Sequence, residues 1–222
     1  MKKISIIFVC GLCAMLLLSA CKQTAQEPVV EEPAATQSAQ SEVPDQEEIA
    51  AAGDYVTLCG EIREILEDQV VRVVGEGYEY NDIACKTDAN TPIVNCKGEK
   101  TPWSDLKVGD NVCVYVSAQM TRSIPPQATA LCIITDLPED GMGIPTYLEA
   151  GEVKTTDDAA EITSSKGDMI VTLTKDLGIE SFSGETASLE DLRVGSKMLA
   201  WYDTVMLSYP GQAVATRVML LD

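Results

Sequence analysis

The sequence contains no histidine, few aromatic residues and few basic residues. Its 222 residues include 16 Lys and Arg against 35 Asp and Glu, which gives a formal net charge of −19. Without histidine there is no imidazole general base, no Ser-His-Asp or Cys-His nucleophile system and no imidazole metal ligand. The negative field opposes binding to nucleic-acid phosphates, and aromatic residues that stack on bases make up only 5% of the chain. We therefore expect no nucleic-acid partner.

The first 21 residues are typical of a secretion signal that ends at a lipidation site. Lys2 and Lys3 precede an apolar run, residues 4–18, which is shorter than the roughly 20 residues of a spanning helix. The next residues, Leu18-Ser19-Ala20-Cys21, resemble the lipobox of bacterial lipoproteins. The resemblance implies a signal peptide over residues 1–20 and a diacylglyceryl group on the Cys21 thiol. An ordinary signal peptide with a chance cysteine is the alternative.

Residues 21–54 are predicted to be the lipidated cysteine and a disordered acidic tether. Residues 22–54 contain eight acidic residues, one basic residue, three prolines and no aromatic residue. Such a segment buries too little apolar surface to offset the entropy lost on ordering. As a coil it spans on the order of 30 Å. A short helix over residues 46–52 is the alternative. We expect a lipid-anchored protein at the cell membrane, with its body outside the cytoplasm.

The remainder of the chain is an internal duplication, because similar segments recur in the same order. The matched pairs are Ser104–Asp110 with Glu190–Ser196, Met120–Ala128 with Met206–Ala213, and Cys59–Ile62 with Ala150–Val153. We predict a first module over residues 55–136 and a second over 145–222. Between them lies a segment rich in Gly, Pro and acidic residues, which is typical of a linker.

Each module is predicted to consist of short strands rich in β-branched residues. The predicted strands are Val56–Ile65, Val70–Val74, Asn111–Val116, Thr129–Ile134, Leu148–Lys154, Met169–Thr174, Lys197–Tyr202 and Val214–Leu220. About five strands in some 80 residues favour a small Greek-key barrel of the OB type. The predicted fold class is therefore all-β, with two tandem small OB-like β-barrels, and a small β-sandwich is the alternative for each module.

Three segments carry a family resemblance: Asp105–Asp110, Met120–Gln127 and Met206–Gln212. With them, residues 55–222 resemble uncharacterised repeats of surface lipoproteins and secreted proteins of anaerobic Gram-positive bacteria. Some of those repeats stand beside a copper-amine-oxidase N-terminal-like domain. The resemblance implies tandem β modules, assigns no activity and carries over no copper-site residue.

The segments Met120–Gln127 and Met206–Gln212 are predicted to connect the last two strands of each barrel, a frequent binding loop of OB folds. The candidate ligand contacts in these loops are Arg122, Ser123, Gln127, Ser208, Tyr209 and Gln212. The structural alternative is a shared barrel corner, in which Pro fixes φ and Gln closes the turn through its side-chain amide. Retention in both copies fits this alternative well.

All five cysteines beyond Cys21 lie in the first module. Cys85 and Cys96 flank residues 87–95 symmetrically, so a hairpin there places them opposite each other and predicts a disulfide between them. Cys59 and Cys113 are expected to pack in the core, and Cys132, matched with Arg217, is expected to be exposed. Beyond Cys21 the sequence has no CxxC pair and no calcium loop, and we therefore predict no metal and no cofactor.

These observations favour a non-enzymatic binding or scaffold protein. Its expected partner, besides the membrane at Cys21, is an extracytoplasmic protein, peptide or glycan of unknown identity. One alternative is a thiol-redox or carboxylate-dependent envelope enzyme. A structural spacer is the other.

Overall fold

The computed structural model describes residues 54–77 and 80–221, which belong to one compact unit. The predicted signal peptide, Cys21 and almost all of the predicted tether lie outside the described residues. Within the described ranges, no helix is long and apolar enough to cross a bilayer.

The predicted all-β class is confirmed. The strands are β1 (Tyr55–Leu66), β2 (Val70–Gly77), β3 (Asp82–Lys86), β4 (Ile93–Asn95), β5 (Asn111–Met120), β6 (Gln127–Thr135), β7 (Thr146–Thr155), β8 (Ala159–Ser164), β9 (Met169–Thr174), β10 (Ile179–Ser181), β11 (Thr186–Ala187), β12 (Lys197–Trp201), β13 (Val205–Met206), β14 (Gly211–Val214) and β15 (Arg217–Leu220). Short 3-10 helices cover Glu67–Gln69, Trp103–Asp105 and Leu189–Asp191.

The first sheet closes into a ring. Its order is β3-β2-β1-β5-β6-β4, and β3 also pairs with β6. The pairs around the ring are antiparallel except β3–β6, which is parallel. This five-stranded arrangement is compatible with an OB-like barrel.

The second sheet repeats the same connections. Its order is β11-β10-β15-β12-β7-β8-β9-β14-β13. β14 and β15 together correspond to β6, because β14 pairs with β9 in parallel while β15 pairs with β12 in antiparallel. β10 also pairs with β15 in parallel, as β4 does with β6. The shared order supports the duplication inferred from the sequence.

The register corrects one of the sequence matches. The Ile62 N–H donates to Asp110 O at 2.9 Å, and the Ala150 N–H donates to Ser196 O at 2.9 Å. Ile62 therefore corresponds to Ala150, so the prediction that aligned Cys59–Ile62 with Ala150–Val153 was wrong by three residues. The next residue in each strand, Arg63 and Gly151, is skipped by the register as a β-bulge. Cys59 accordingly corresponds to Tyr147.

Each module has its own core, formed by alternate residues of its strands. On β5, Val112, Val114 and Val116 point into the first core. On β12, Met198 and Ala200 point into the second. The intervening residues are also buried, so β5 is apolar on both faces, as expected of a strand covered on both sides.

The second face of these strands forms a third apolar cluster shared by the two modules. Its buried members are Tyr55, Val94, Cys113, Tyr115, Cys132, Ile134, Tyr147, Leu199 and Met219. Cys113 pairs with Cys59 on β1, and Leu199 pairs with Tyr147, the counterpart of Cys59, on β7. Cys113 therefore corresponds to Leu199. The modules therefore pack through equivalent faces.

Polar contacts fix this packing. The Tyr55 hydroxyl donates to Tyr147 O at 3.0 Å, and the indole N–H of Trp201 donates to Cys96 O at 2.7 Å. The Arg217 guanidinium donates to both carboxylate oxygens of Glu180 and to the Lys97 carbonyl, and lies 4.8 Å from the Trp201 ring.

Candidate functional site

The two predicted binding loops have the same internal structure. A cis peptide bond joins Ile124 to Pro125 in the first loop and Tyr209 to Pro210 in the second. The Ser123 hydroxyl donates to Pro125 O at 2.8 Å, and the Ser208 hydroxyl donates to Pro210 O at 2.7 Å. Both hydroxyls are therefore engaged within their own loops.

The glutamines of the two loops differ. The Gln127 backbone closes the first loop, since its N–H donates to the Thr121 hydroxyl at 2.9 Å and its carbonyl accepts from Thr121 N–H at 2.9 Å. Closure thus uses the backbone of Gln127 rather than the side-chain amide that was expected. Gln212 is exposed on β14, opposite Met206 on β13.

The loop tips expose large apolar side chains. Ile124 is 100% exposed, its counterpart Tyr209 is 88% exposed and Leu207 is 104% exposed. Arg122, present only in the first loop, is also exposed. Of the predicted loop contacts, Arg122, Tyr209 and Gln212 therefore have exposed side chains that another molecule can reach.

A groove of about 390 Å³ lies beside the second loop. It is lined by Asp203, Met206, Gln212 and Val214, among others. Of the predicted loop contacts, Gln212 lines it. Sequence reasoning did not identify the other residues that line the groove, although most of them lie in the uncharged run from 204 to 216, which was a usable signal.

The predicted Cys85–Cys96 disulfide is not formed. Instead Cys59 on β1 is bridged to Cys113, the residue directly opposite on β5, and Cys85 and Cys96 are free thiols. Residues 87–95 do not form a hairpin, because β3 and β4 both run parallel to β6. Cys85 stands opposite Ala128 on β6, whereas Asn95, the neighbour of Cys96, stands opposite Thr135. Seven residues of strand separate these positions, or about 23 Å.

The free thiols are poor nucleophiles. Burial raises the pKa of the Cys85 thiol to about 12 and raises the pKa of the Cys132 thiol further. The pKa of Cys96 is raised by partial burial and by the charge of Asp136. The expectation that Cys132 is exposed was also wrong, because its side chain is buried where the modules meet. The thiolate needed for disulfide exchange is therefore disfavoured at all three.

A second cavity, of about 370 Å³, lies where the modules meet. Gln69, Asp88, Lys100 and Trp103 of the first module line it together with Phe182 of the second. The Lys100 ammonium lies 4.5 Å from the centre of the Phe182 ring and has no carboxylate within salt-bridge distance in the described part of the chain. We call this cavity the junction cleft.

The junction cleft combines aromatic surface with polar groups. The Asp88 carboxylate accepts hydrogen bonds from Asn90 N–H at 2.8 Å and from the Thr91 hydroxyl at 3.1 Å, and these bonds hold its pKa below the usual range. It therefore remains charged at neutral pH, facing the same cavity as Lys100. Rings flanked by amide, carboxylate and ammonium groups suit a polar ligand that also has an apolar face.

An acidic cavity of about 300 Å³ shares Lys100 with the junction cleft. Glu99, Asp105, Asp110 and Asp136 are among its lining residues. Among the described residues, no three His, Cys, Asp or Glu side chains are grouped closely enough to hold a metal ion.

No protein-family model matches this chain, and no curated protein matches it.

Proposed function

We propose that this chain is a lipid-anchored extracytoplasmic binding protein without catalytic activity of its own, built from two OB-like modules. In this proposal Cys21 carries the lipid, the acidic tether spaces the body from the membrane, and the packed modules present a ligand site. The resemblance to repeats of bacterial surface lipoproteins supports the lipid-anchored, extracytoplasmic part of this proposal. The observation that carries the proposal is that residues of both modules line the junction cleft.

The composition of the cleft supports a small polar ligand or the exposed end of a peptide or glycan. Trp103 and Phe182 supply rings, while Gln69, Asp88 and Lys100 supply hydrogen-bonding groups. Trp103 is partly buried against the first core, so its ring is held in place. A site fixed by packing binds with a smaller loss of conformational entropy than a mobile one.

The thiol-redox alternative has less support. Cys85 on β3 and Cys96 after β4 lie beside distant positions of β6, and the pKa of each thiol is raised. The cleft also distinguishes the binding proposal from a structural spacer, because a spacer needs no concave site that both modules line.

Capture from cell-envelope extract on immobilised chain tests this function. The bait is the chain from Lys22 to Asp222, used as wild type, Lys100→Glu and Lys107→Glu. Both lysines are exposed, but only Lys100 lines the cleft. We expect a retained envelope component that is lost with Lys100→Glu and kept with Lys107→Glu. Equal retention by all three baits, or no retained component, contradicts the proposal.

A further inference from the structure

The loop between β13 and β14 carries apolar side chains that nothing in the described structure covers. Leu207 and Tyr209 are almost fully exposed, and Met206 beside them is more than half exposed. Soluble proteins rarely leave contiguous apolar surface in water unless it contacts another molecule or a membrane.

This loop is also uncharged. Residues 204–216 contain no Asp, Glu, Lys or Arg, whereas 23% of the whole chain is charged. Burying the tip therefore removes no charged side chain from water, so the cost that opposes insertion of most surface loops is absent. The net charge of −19 disfavours an anionic surface, so a neutral one fits the chain better.

The shape of the loop favours a soft, flat surface over a pocketed partner. Val205 pairs with Ala213, and Met206 pairs with Gln212, so these residues form the base of a hairpin. Leu207–Pro210 project beyond the last pair. A projecting aliphatic side chain beside a tyrosine matches the boundary between lipid headgroups and acyl chains, where the ring lies in the apolar layer and the hydroxyl stays wet.

The position of the predicted lipid agrees with this shape. Cys21 precedes the first described residue, Asp54, by 33 positions. This agreement rests on the lipid anchor of the proposed function: a coil of 33 residues has a root-mean-square span on the order of 30 Å, so a lipid on Cys21 would hold the body close to a bilayer.

We propose that the tip Met206–Tyr209 docks into the neutral surface of a phospholipid bilayer and so orients the body on the membrane. This role is separate from ligand binding at the junction cleft, with which the tip shares no lining residue.

Vesicle binding tests the proposal on the chain from Lys22 to Asp222, which lacks Cys21 but retains all described residues. The chain is held on vesicles of phosphatidylcholine with a small fraction of chelating lipid through an N-terminal His tag. Tyr209→Trp and Ile124→Trp variants are compared, with the tryptophans at 103 and 201 as a common background. We expect bromine-labelled phosphatidylcholine to quench the new fluorescence of Tyr209→Trp. No quenching overturns the proposal.

Sedimentation with untethered phosphatidylcholine vesicles supplies an independent measurement. The double variant Leu207→Ser, Tyr209→Ser is expected to lower the partition coefficient about tenfold or more, as removal of two inserted apolar side chains requires. Ile124→Ser, which removes the single exposed apolar side chain of the equivalent loop, is the matched control and is expected to bind as wild type. These positions are exposed, so the variants are expected to fold as the wild type does. Equal unfolding midpoints of the variants and the wild type would verify this.

Three outcomes of the sedimentation experiment also overturn the proposal: no binding of the wild type to phosphatidylcholine, an equal loss with Ile124→Ser, or binding to anionic vesicles alone. If the tip instead binds a protein, an envelope component is retained without lipid and lost with the double variant. The Lys100→Glu comparison uses no vesicles, so the cleft and the tip succeed or fail separately.

Discussion

Cys59 on β1 lies directly opposite Cys113 on β5, and a disulfide joins them across a Cα–Cα distance of 4.0 Å. The bridge occurs on the face of the first sheet that packs against the second module. It therefore ties together the two strands that form much of this contact surface.

Digestion of the chain from Lys22 to Asp222 without reduction is expected to yield a peptide pair linked through Cys59 and Cys113, with free thiols at Cys85, Cys96 and Cys132. Because the bridge spans 54 positions, its removal by Cys59→Ser, Cys113→Ser is expected to cost about 4 kcal/mol of unfolding free energy. Mass spectrometry and urea unfolding measure the two quantities. A linked Cys85–Cys96 pair contradicts this structure.

Alkylation of the folded protein is expected to modify Cys96 first and Cys85 and Cys132 only on unfolding, because the last two are buried. Their raised pKa values add a pH dependence. The unfolded chain ionises its thiols above an ordinary pKa of about 8.5, and the folded chain does not. Stability is thus retained below that pH and falls above it, by up to about 1.4 kcal/mol per pH unit for each thiol.

Urea unfolding between pH 8 and pH 10 measures this slope, and Cys85→Ala is its control. A smaller slope in that variant is expected. Rapid alkylation of Cys85 at pH 8 in the folded protein goes against the burial on which the prediction rests.

Trp201→Phe is expected to cost about 1–2 kcal/mol, because it removes the indole N–H that donates to Cys96 O and leaves that carbonyl unpaired. It also weakens the contact of the ring with Arg217. The alkylation rate of Cys132, which is buried at the module contact, is therefore expected to rise. Ile162→Val, in the second module's own core and away from the module contact, is the control and is expected to leave that rate unchanged. Equal rates in both variants argue against the packing described.

Gly98→Ala and Gly109→Ala form a matched pair. Both glycines have positive φ, 77° and 99°, which costs an alanine about 1–2 kcal/mol. Only at Gly98 does a new Cβ also meet a side chain, the Arg217 guanidinium at 2.9 Å. Gly98→Ala is therefore expected to be the more destabilising and to raise the alkylation rate of Cys132. Thermal unfolding ranks the two, and an equal cost counts against a close Gly98–Arg217 contact.

Local patterns predicted much of this fold. Met169–Thr174 is a strand with the predicted bounds, and the turns at Gly109 and Gly195 adopt the positive φ that only glycine accepts easily. Trp103 and Leu189, the first residues of the 3-10 helices Trp103–Asp105 and Leu189–Asp191, pack against their own cores. These features depend on residues close together in sequence.

Nonlocal pairings could not be predicted from the same patterns. The parallel placement of β3 and β4 along β6 separates Cys85 from Cys96, although their symmetric spacing is typical of a hairpin. The alternation of apolar residues also did not reveal the β-bulges at Arg63 and Gly151, which fix how β1 of the first module aligns with β7 of the second. The junction cleft was missed because Lys100 and Phe182 meet only through the packing of one module on the other.

The central claim is that the two modules form one body, on which the junction cleft depends. Unfolding in urea, with pulse-labelling by hydrogen exchange and mass spectrometry, follows both modules in the unmodified chain from Lys22 to Asp222. Peptides that cover β1 and β7, the first strands of the two modules, report on each core separately. We predict that both peptides become labelled at the same urea midpoint. Two distinct midpoints, with one module remaining folded after the other has opened, contradict the account.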